Sequence, residues 1–351
     1  MVVLTGPNGA GKTNMLEAIS LLAPGRGLRR AAFADMARAS GAGGWTISAQ
    51  VSGMQGPVRI GAAWRGEDGT GGRKLVIGGK TARSAGQLGQ HLRIGWLTPA
   101  MDRLFTGPAG DRRRFFDRLT ATLDPAHAAR AAALERLMRQ RNRLLESHLD
   151  NAAWLDALEA QMAQAFIAVA AARLAALKAL KKGMKPLEKA AGAFPFAALA
   201  LQGEVENQLG ESPAIQVEDA WRARLRGNRA RDAAAGRTLE GPHRTDLEVI
   251  HGPRAMPARL SSTGEQKALL IAIVLAHARA VRAQAGGHAP VMLLDEVAAH
   301  LDRARRRGLF TALEELGCQA WMTGTEPGLF ADLQGRAHFV RIEDGQVAAA
   351  R

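Results

Sequence analysis

The chain has 351 residues, 47% hydrophobic and 23% charged, with 47 basic against 33 acidic side chains and a formal charge of +14. That length suits one large core or two lobes and excludes a long coiled-coil machine. A single cysteine, Cys318, excludes an internal disulfide and a thiolate metal set and points to a reducing cytoplasm. The charge excess fits a polyanionic partner, either nucleic acid or an anionic membrane surface, and fits equally well an Arg-rich composition imposed by a GC-rich genome.

In chain order, Val2 to Thr5 is a short β-branched run followed by a glycine-rich loop and a predicted amphipathic helix from Lys12 to Leu22. Gly6 to Thr13 interrupt any apolar leader segment. Trp45 to Ile77 alternates, with turns at Gly53, Gly66 and Gly71–Gly72, and predicts a small antiparallel sheet. From about Arg112 to Arg231, Leu and Ala recur at helical spacing, with Pro186 and Pro195 as expected breaks. From Leu239 strand and turn character returns, then a helix at Gly264 to Ala283 and a buried strand at Val291 to Leu294. The longest apolar run, Leu269 to Ala276, is too short to span a bilayer, so a soluble protein is expected. The domain reading is an N-terminal part of lobe I at 1–110, a helical lobe II at 111–238, and the rest of lobe I at 239–351. No fixed-period repeat is visible.

Three segments carry chemistry. Gly6-Pro7-Asn8-Gly9-Ala10-Gly11-Lys12-Thr13 fits G-x-x-x-x-G-K-[ST] between a predicted strand and helix, the context this phosphate loop requires. Its backbone N–H groups cradle phosphates at a helix N-terminus, Lys12 reaches the β- and γ-phosphates, and Thr13 offers a hydroxyl to Mg²⁺. Val291 to Leu294 ends in Asp295-Glu296 at the carboxyl end of a strand, where α/β ligands sit. Asp295 is then the Mg²⁺ aspartate and Glu296 the general base toward water. Ser261-Ser262-Thr263-Gly264-Glu265-Gln266 resembles the ABC signature, in which a serine, a glycine and a helix N-terminus take a γ-phosphate held by the opposite subunit. The same residues read as a capping box, Ser262 with Glu265, and the two roles are compatible. Asp302 stands where ABC-type ATPases place a dimer-contacting aspartate.

These motifs define the expected class: an α/β P-loop NTPase, an ABC/SMC-like ATPase head with an inserted helical second lobe. Lys12 and Ser262 are 250 residues apart. ABC transporter ATPases hold these motifs much closer, and SMC proteins separate them by long heptad arrays. The intermediate gap resembles the RecF family, and further stretches carry that resemblance. Gly11-Lys12-Thr13-Asn14-Met15-Leu16-Glu17-Ala18-Ile19 is similar to the family's G-K-T-N-[LM]-L-E-A-I. Pro108 with Arg112-Arg113-Arg114-Phe115-Phe116-Asp117 resembles P-x-x-R-R-R-F-[LF]-D, and Arg141-Asn142-Arg143-Leu144-Leu145 resembles R-N-x-L-L. Gly241-Pro242-His243-Arg244-Thr245-Asp246-Leu247 matches G-P-H-R-x-D-L, Gly264-Glu265-Gln266 matches G-E-Q, and Thr323-Gly324-Thr325 matches T-G-T.

The resemblance implies an ATP- and Mg²⁺-dependent homodimer that binds DNA, double- and single-stranded, near gap junctions. It implies a slow, switch-type ATPase acting with RecO/RecR-type mediators to load RecA in recombinational repair, replication restart and the SOS response, in the cytoplasm at the nucleoid. The ATP-site residues it implies are Gly6 to Asn14 with Ser262, Gly264, Glu265 and Asp302. A transporter-type ATPase subunit is the alternative. Against it, no glutamine stands near Trp96-Leu97-Thr98-Pro99, and Thr325 occupies the transporters' histidine position. The family's chains open about twenty residues further upstream, with a strand and an R-N-[YF]-type segment, so either a start called late or a truncation is expected; a missing edge strand would expose unpaired backbone and weaken nucleotide binding. From Arg93 to Arg143 there are eleven arginines against five acidic residues. Arg112, Arg113, Arg139, Arg141 and Arg143 are the candidate phosphate contacts, each with a solvated helix face or a local ion pair as the plainer reading. His243 and Arg244 read either as a loop anchor or as a functional pair.

Overall fold

The computed structural model describes residues 1–38, 41, 43–53, 55–66, 72–147, 152–189 and 192–348. The turn expected at Gly71 lies outside them; its neighbour Gly72 is described. The chain divides into two units: Met1–Arg103, Lys182–Ala197 and His251–Arg351 form the first, and Leu104–Lys181 with Ala198–Ile250 the second.

In the first unit the short apolar runs become strands because each is buried on both faces, the pattern of a parallel sheet. β1 (Val2–Thr5) leads through the phosphate loop to α1 (Lys12–Ser20). An antiparallel sheet follows, β2 (Gly44–Gly53), β3 (Gly56–Arg65), β4 (Lys74–Ile77) and β5 (Lys80–Thr81), in chain order. β6 (Ile94–Leu97) returns to the parallel layer.

The second unit is mainly helical, with α2 (Ala109–Leu123), α3 (His127–Glu146), α4 (Ala152–Lys189, to residue 181), β7 (Ala197–Gln202, from residue 198), α5 (Glu204–Glu211), α6 (Ala214–Gly227), α7 (Arg229–Ala234) and β8 (Asp246–His251, to residue 250). The first unit then resumes with β9 (Met256–Pro257), α8 (Thr263–Gln284), β10 (Val291–Leu294), α9 (Arg303–Glu315), β11 (Ala320–Gly324), β12 (His338–Glu343) and β13 (Gln346–Ala348). Its main sheet runs β13-β12-β1-β11-β10-β6 and is parallel except for β13. β1 sits inside it, Val2 opposite both Trp321 and His338. α8 is apolar around most of its circumference and is accordingly enclosed from Gln266 to Ala278. A second cluster, including Leu4, Leu16, Ile60, Trp96 and Leu293, joins α1 and the antiparallel sheet to the main layer. Each such fully buried side chain contributes about 1.5–3 kcal/mol.

The second unit's core gathers Leu134, Met162, Phe166, Val169, Trp221 and Leu225, with Phe166 and Trp221 edge to face at 5.5 Å. Gly241 passes so close that a Cβ there would lie 2.5 Å from the Phe166 ring.

Three expectations are corrected. The helical unit begins at Leu104 rather than 111, extends to Ile250 rather than 238, and yields residues 182–197 to the first unit. That return has a packing cause, since Gly183 lies against the Ala276 carbonyl of α8 and Gly308 of α9 against Ala193. Pro186 does not break its helix, because α4 runs three residues past it to Lys189. Finally, α4 itself is long and apolar enough by composition to cross a bilayer, although its apolar residues form no single uninterrupted run. Half of that window is buried, and it carries the enclosed Arg173, so it serves as a core helix.

Candidate nucleotide site

The phosphate loop is shaped by contacts with its own chain. Gly6 has φ +151°, and a Cβ there would lie 2.2 Å from the Ile342 carbonyl oxygen. Gly11 has φ +98° at the N-cap of α1, with Gly345 backbone 3.3 Å from where its Cβ would be. L side chains rarely adopt that conformation, so both positions require glycine. The β12–β13 turn secures the loop further, Gly345 N–H donating to the Ala10 carbonyl at 3.0 Å. Pro7, Asn8 and Gly9 remain exposed at the tip. Lys12 is 5% exposed and folds back, its Nζ donating to the carbonyls of Gly6 at 2.7 Å and Pro7 at 2.8 Å. Asn14 accepts from Arg29 Nη1 at 3.0 Å.

Parallel pairing brings the end of β10 beside the start of α1, and a compact oxygen cluster results. Thr13 Oγ1 donates to Asp295 Oδ1 at 3.0 Å, and Thr323 Oγ1 donates to the same oxygen at 2.7 Å. Thr323 Oγ1 in turn accepts the Glu296 N–H at 2.9 Å. Glu296 has φ +49°, a strained conformation for a non-glycine residue that costs about 1–3 kcal/mol and persists only where surroundings impose it. The hydroxyl and carboxylate pair is the hard-oxygen donor set that suits Mg²⁺.

The signature forms its own arrangement at the start of α8. Ser262 Oγ accepts the Glu265 N–H, and Glu265 Oε2 accepts the Ser262 N–H at 3.0 Å, a full capping box. Glu265 also pairs with Arg254 at 2.5 Å. Its carboxyl is held below the usual range by the Ser262 backbone and hydroxyl bonds and by the Arg254 charge. Asp302 caps α9 by accepting the Arg305 N–H at 2.8 Å, and Arg305 Nη1 donates to the Gly264 carbonyl at 3.4 Å. Arg305 thereby ties the signature to Asp302. Neither Thr323 nor Arg305 was singled out as a site residue in the sequence. Thr323 had a signal in the T-G-T stretch; Arg305 had none.

The arginines divide. Arg141 is a correction: it is 0% exposed, with Nε on Glu159 at 2.9 Å, Nη1 on Asp232 at 2.6 Å and on Thr238 at 3.0 Å, and Nη2 on the Leu225 carbonyl at 2.8 Å. A guanidinium enclosed by its own carboxylates cannot reach a phosphate. Arg112 is likewise engaged, in a two-pronged bond to Asp246 at 2.8 and 2.7 Å, and Arg113 donates to the Thr245 carbonyl at 3.1 Å. The R-R-R-F and G-P-H-R-T-D stretches are therefore two halves of one structural network. Arg139 and Arg143 are exposed, Arg139 only 3.9 Å from Glu135.

His243 is an anchor, its Nε2 donating to the Thr238 carbonyl at 3.0 Å. Burial, then the Arg113 and Arg244 charges, lower its pKa to about 4. Asp117 sits in the same unit. Burial acts to raise it, but bonds from His127 and Arg173 and the Arg173 charge outweigh that and hold it at about 2.

A parallel sheet that carries a phosphate loop, a strand-end Asp-Glu pair and a capped signature helix defines the class: a P-loop NTPase head of the ABC/SMC-like type. The family model described as the RecF/RecN/SMC N terminal domain matches residues 1–346. The DNA replication and repair protein RecF of Mesorhizobium japonicum is 54% identical over 346 residues, 99% of this chain and 91% of that one. Its namesake from Brucella suis biovar 1 is 52% identical over 347 residues, 99% of this chain and 89% of that one. The chain belongs to the RecF family. Among solved structures, the recombination mediator protein RecF with ATP in the RecFOR pathway matches with a TM-score of 0.84 at 20% identity, covering 100% of this chain and 91% of that one. An SMC head bound to the C-winged helix domain of ScpA matches with a TM-score of 0.53 at 14% identity, covering 99% and 89%. At those identities the likeness establishes the fold. These relatives do not favour the transporter alternative.

Proposed function

We propose that this chain is an ATP-dependent DNA-binding protein of DNA replication and recombinational repair, in which ATP joins two copies head to head on DNA and slow hydrolysis releases them. The observation that carries the reading is a division of labour on the first unit. Lys12, Thr13 and Asp295 are gathered around one phosphate loop, while Ser262 and Thr263 stand exposed at a capped helix N-terminus, a ready site for a second copy's γ-phosphate. The names of the relatives support the repair role.

In this reading Lys12 exchanges two loop carbonyls for phosphate oxygens, and Gly6 to Asn14 supply the cradle. Thr13 and Asp295 would hold Mg²⁺, which when bound neutralises phosphate charge. Glu296 orients and deprotonates the attacking water. Ser262, Gly264, Glu265 and Asp302 act across the dimer. Arg139 and Arg143 contact DNA phosphates without reading bases. Partners are double- and single-stranded DNA at gaps, mediators of the RecO/RecR type and through them RecA, at the nucleoid.

Sedimentation velocity with MgATP tests this. Glu296→Gln is expected to accumulate as a dimer, Lys12→Arg to remain monomeric, and wild type to lie between. Equal sedimentation of wild type and Glu296→Gln, or a monomer at saturating nucleotide with hydrolysis blocked, would overturn it.

A further inference from the structure

Of the five arginines that first suggested a nucleic-acid surface, Arg112 and Arg141 are held by carboxylates and Arg113 by a carbonyl, which leaves Arg139 and Arg143 exposed; a separate set of cations lies on α4. The chain holds 9 lysines against 38 arginines, and five of those nine lie between residues 178 and 189. Lys178, Lys181, Lys182 and Lys185 are all exposed on α4 and have no ion-pair partner among the described residues. Spacings of three, one and three residues place them within roughly 100° of one another around a helix, as a single stripe. They sit on one unbroken helix, so their mutual placement follows from helical geometry alone. The opposite side of the same turns is buried at Leu180, Gly183 and Met184, which fixes the stripe outward. Glu188 is the single acidic residue between 178 and 189.

Helix propensity does not explain this, because Lys and Arg are nearly equal helix formers. Nor does the helix dipole, whose reach ends within the last turn, short of Lys178. What separates the two residues is chemistry. Arginine forks onto planar partners, whereas lysine is a mobile point charge that follows a phosphate backbone without fixed geometry.

We propose that the lysine stripe of α4 is a surface that holds the phosphate backbone of a nucleic acid. It rests on the DNA-binding reading above and gives that reading its surface. Lys178 to Lys185 spans about 10 Å of helix axis, a length over which duplex DNA presents roughly six charges, so four ammonium groups are well matched.

The test is the salt dependence of duplex binding by the full chain, with Mg²⁺ and a non-hydrolysable ATP analogue. Replacing all four lysines with glutamine is expected to flatten the plot of log affinity against log salt by about 3–4, nucleotide affinity being unchanged. Lys178→Gln and Lys185→Gln, each expected to flatten it by about 1, give the same reading should the fourfold variant not fold. The fourfold arginine variant should retain the wild-type slope. An unchanged slope in the glutamine variants, with wild type binding DNA, overturns the surface and leaves the DNA-binding reading standing. Failure of wild type to bind DNA overturns both. Phosphatidylserine vesicles bound more tightly than DNA, and lost in the glutamine variants, would overturn the proposal in favour of a membrane.

Discussion

In the second unit Arg141 and Arg173 are enclosed with Glu159, Asp232, Asp117 and Glu206, and each cation is held by anions. In the first, Lys12 is just as buried but rests on two backbone carbonyls, and Asp295 is satisfied by two hydroxyls. The difference is one of exchangeability. A cation held by neutral oxygens can transfer to a phosphate without breaking an ion pair, whereas one held by carboxylates leaves uncompensated charges behind if it moves. Arg141 and Arg173 thus serve as architecture, whereas Lys12 is held in a way that leaves it available for chemistry; elsewhere in the first unit the buried Lys267 is paired with Asp102 in the architectural manner.

The largest test of that contrast is Arg141→Met. It strands Asp232 and weakens the hold on Glu159, and is expected to reduce stability by about 3–5 kcal/mol in urea denaturation. Lys12→Met should do the reverse, weakening nucleotide binding about ten- to a hundredfold in a titration while moving the urea midpoint little. Comparable stability losses in the two variants would break the comparison.

Thr323 sharpens it at the next scale. Thr323→Val removes the hydroxyl shared by Asp295 and the Glu296 N–H and is expected to cost about 1–3 kcal/mol, with weaker MgATP binding; Thr323→Ser should restore most of both. A valine variant with wild-type turnover would show that the hydroxyl does not position Glu296.

A further test, confined to acid conditions, concerns pH. His243 is depressed from 6.5 to about 4, so the unfolded chain binds more protons between those values. Its contribution to stability is complete above about 6.5 and is lost as pH falls through about 4. His243→Gln should flatten the stability profile in that interval. Asp117, depressed from 3.8 to about 2, acts lower, its contribution present above about 4 and lost as pH falls through about 2.

Much of the candidate nucleotide site was legible as local motifs. A loop of eight residues, a capping box four residues long and an apolar strand ending in two carboxylates are each written in neighbouring positions. Arg141 was legible in principle. It falls seven residues after Leu134 and four before Leu145, on the apolar face of α3, while Arg139 and Arg143 point outward. The lysine stripe had the same periodicity and was hidden by the more numerous arginines.

What the amino-acid order made legible by itself was the phosphate loop, the acidic strand end and the signature cap, each written in neighbouring residues, and, through their order and spacing, the class of fold. Which charges are spent internally was decided only in three dimensions. Arg141 meets Asp232 from 91 positions away, and Arg112 meets Asp246 from 134. No local pattern encodes such partners, because burial and pairing depend on which surfaces the assembled core brings together.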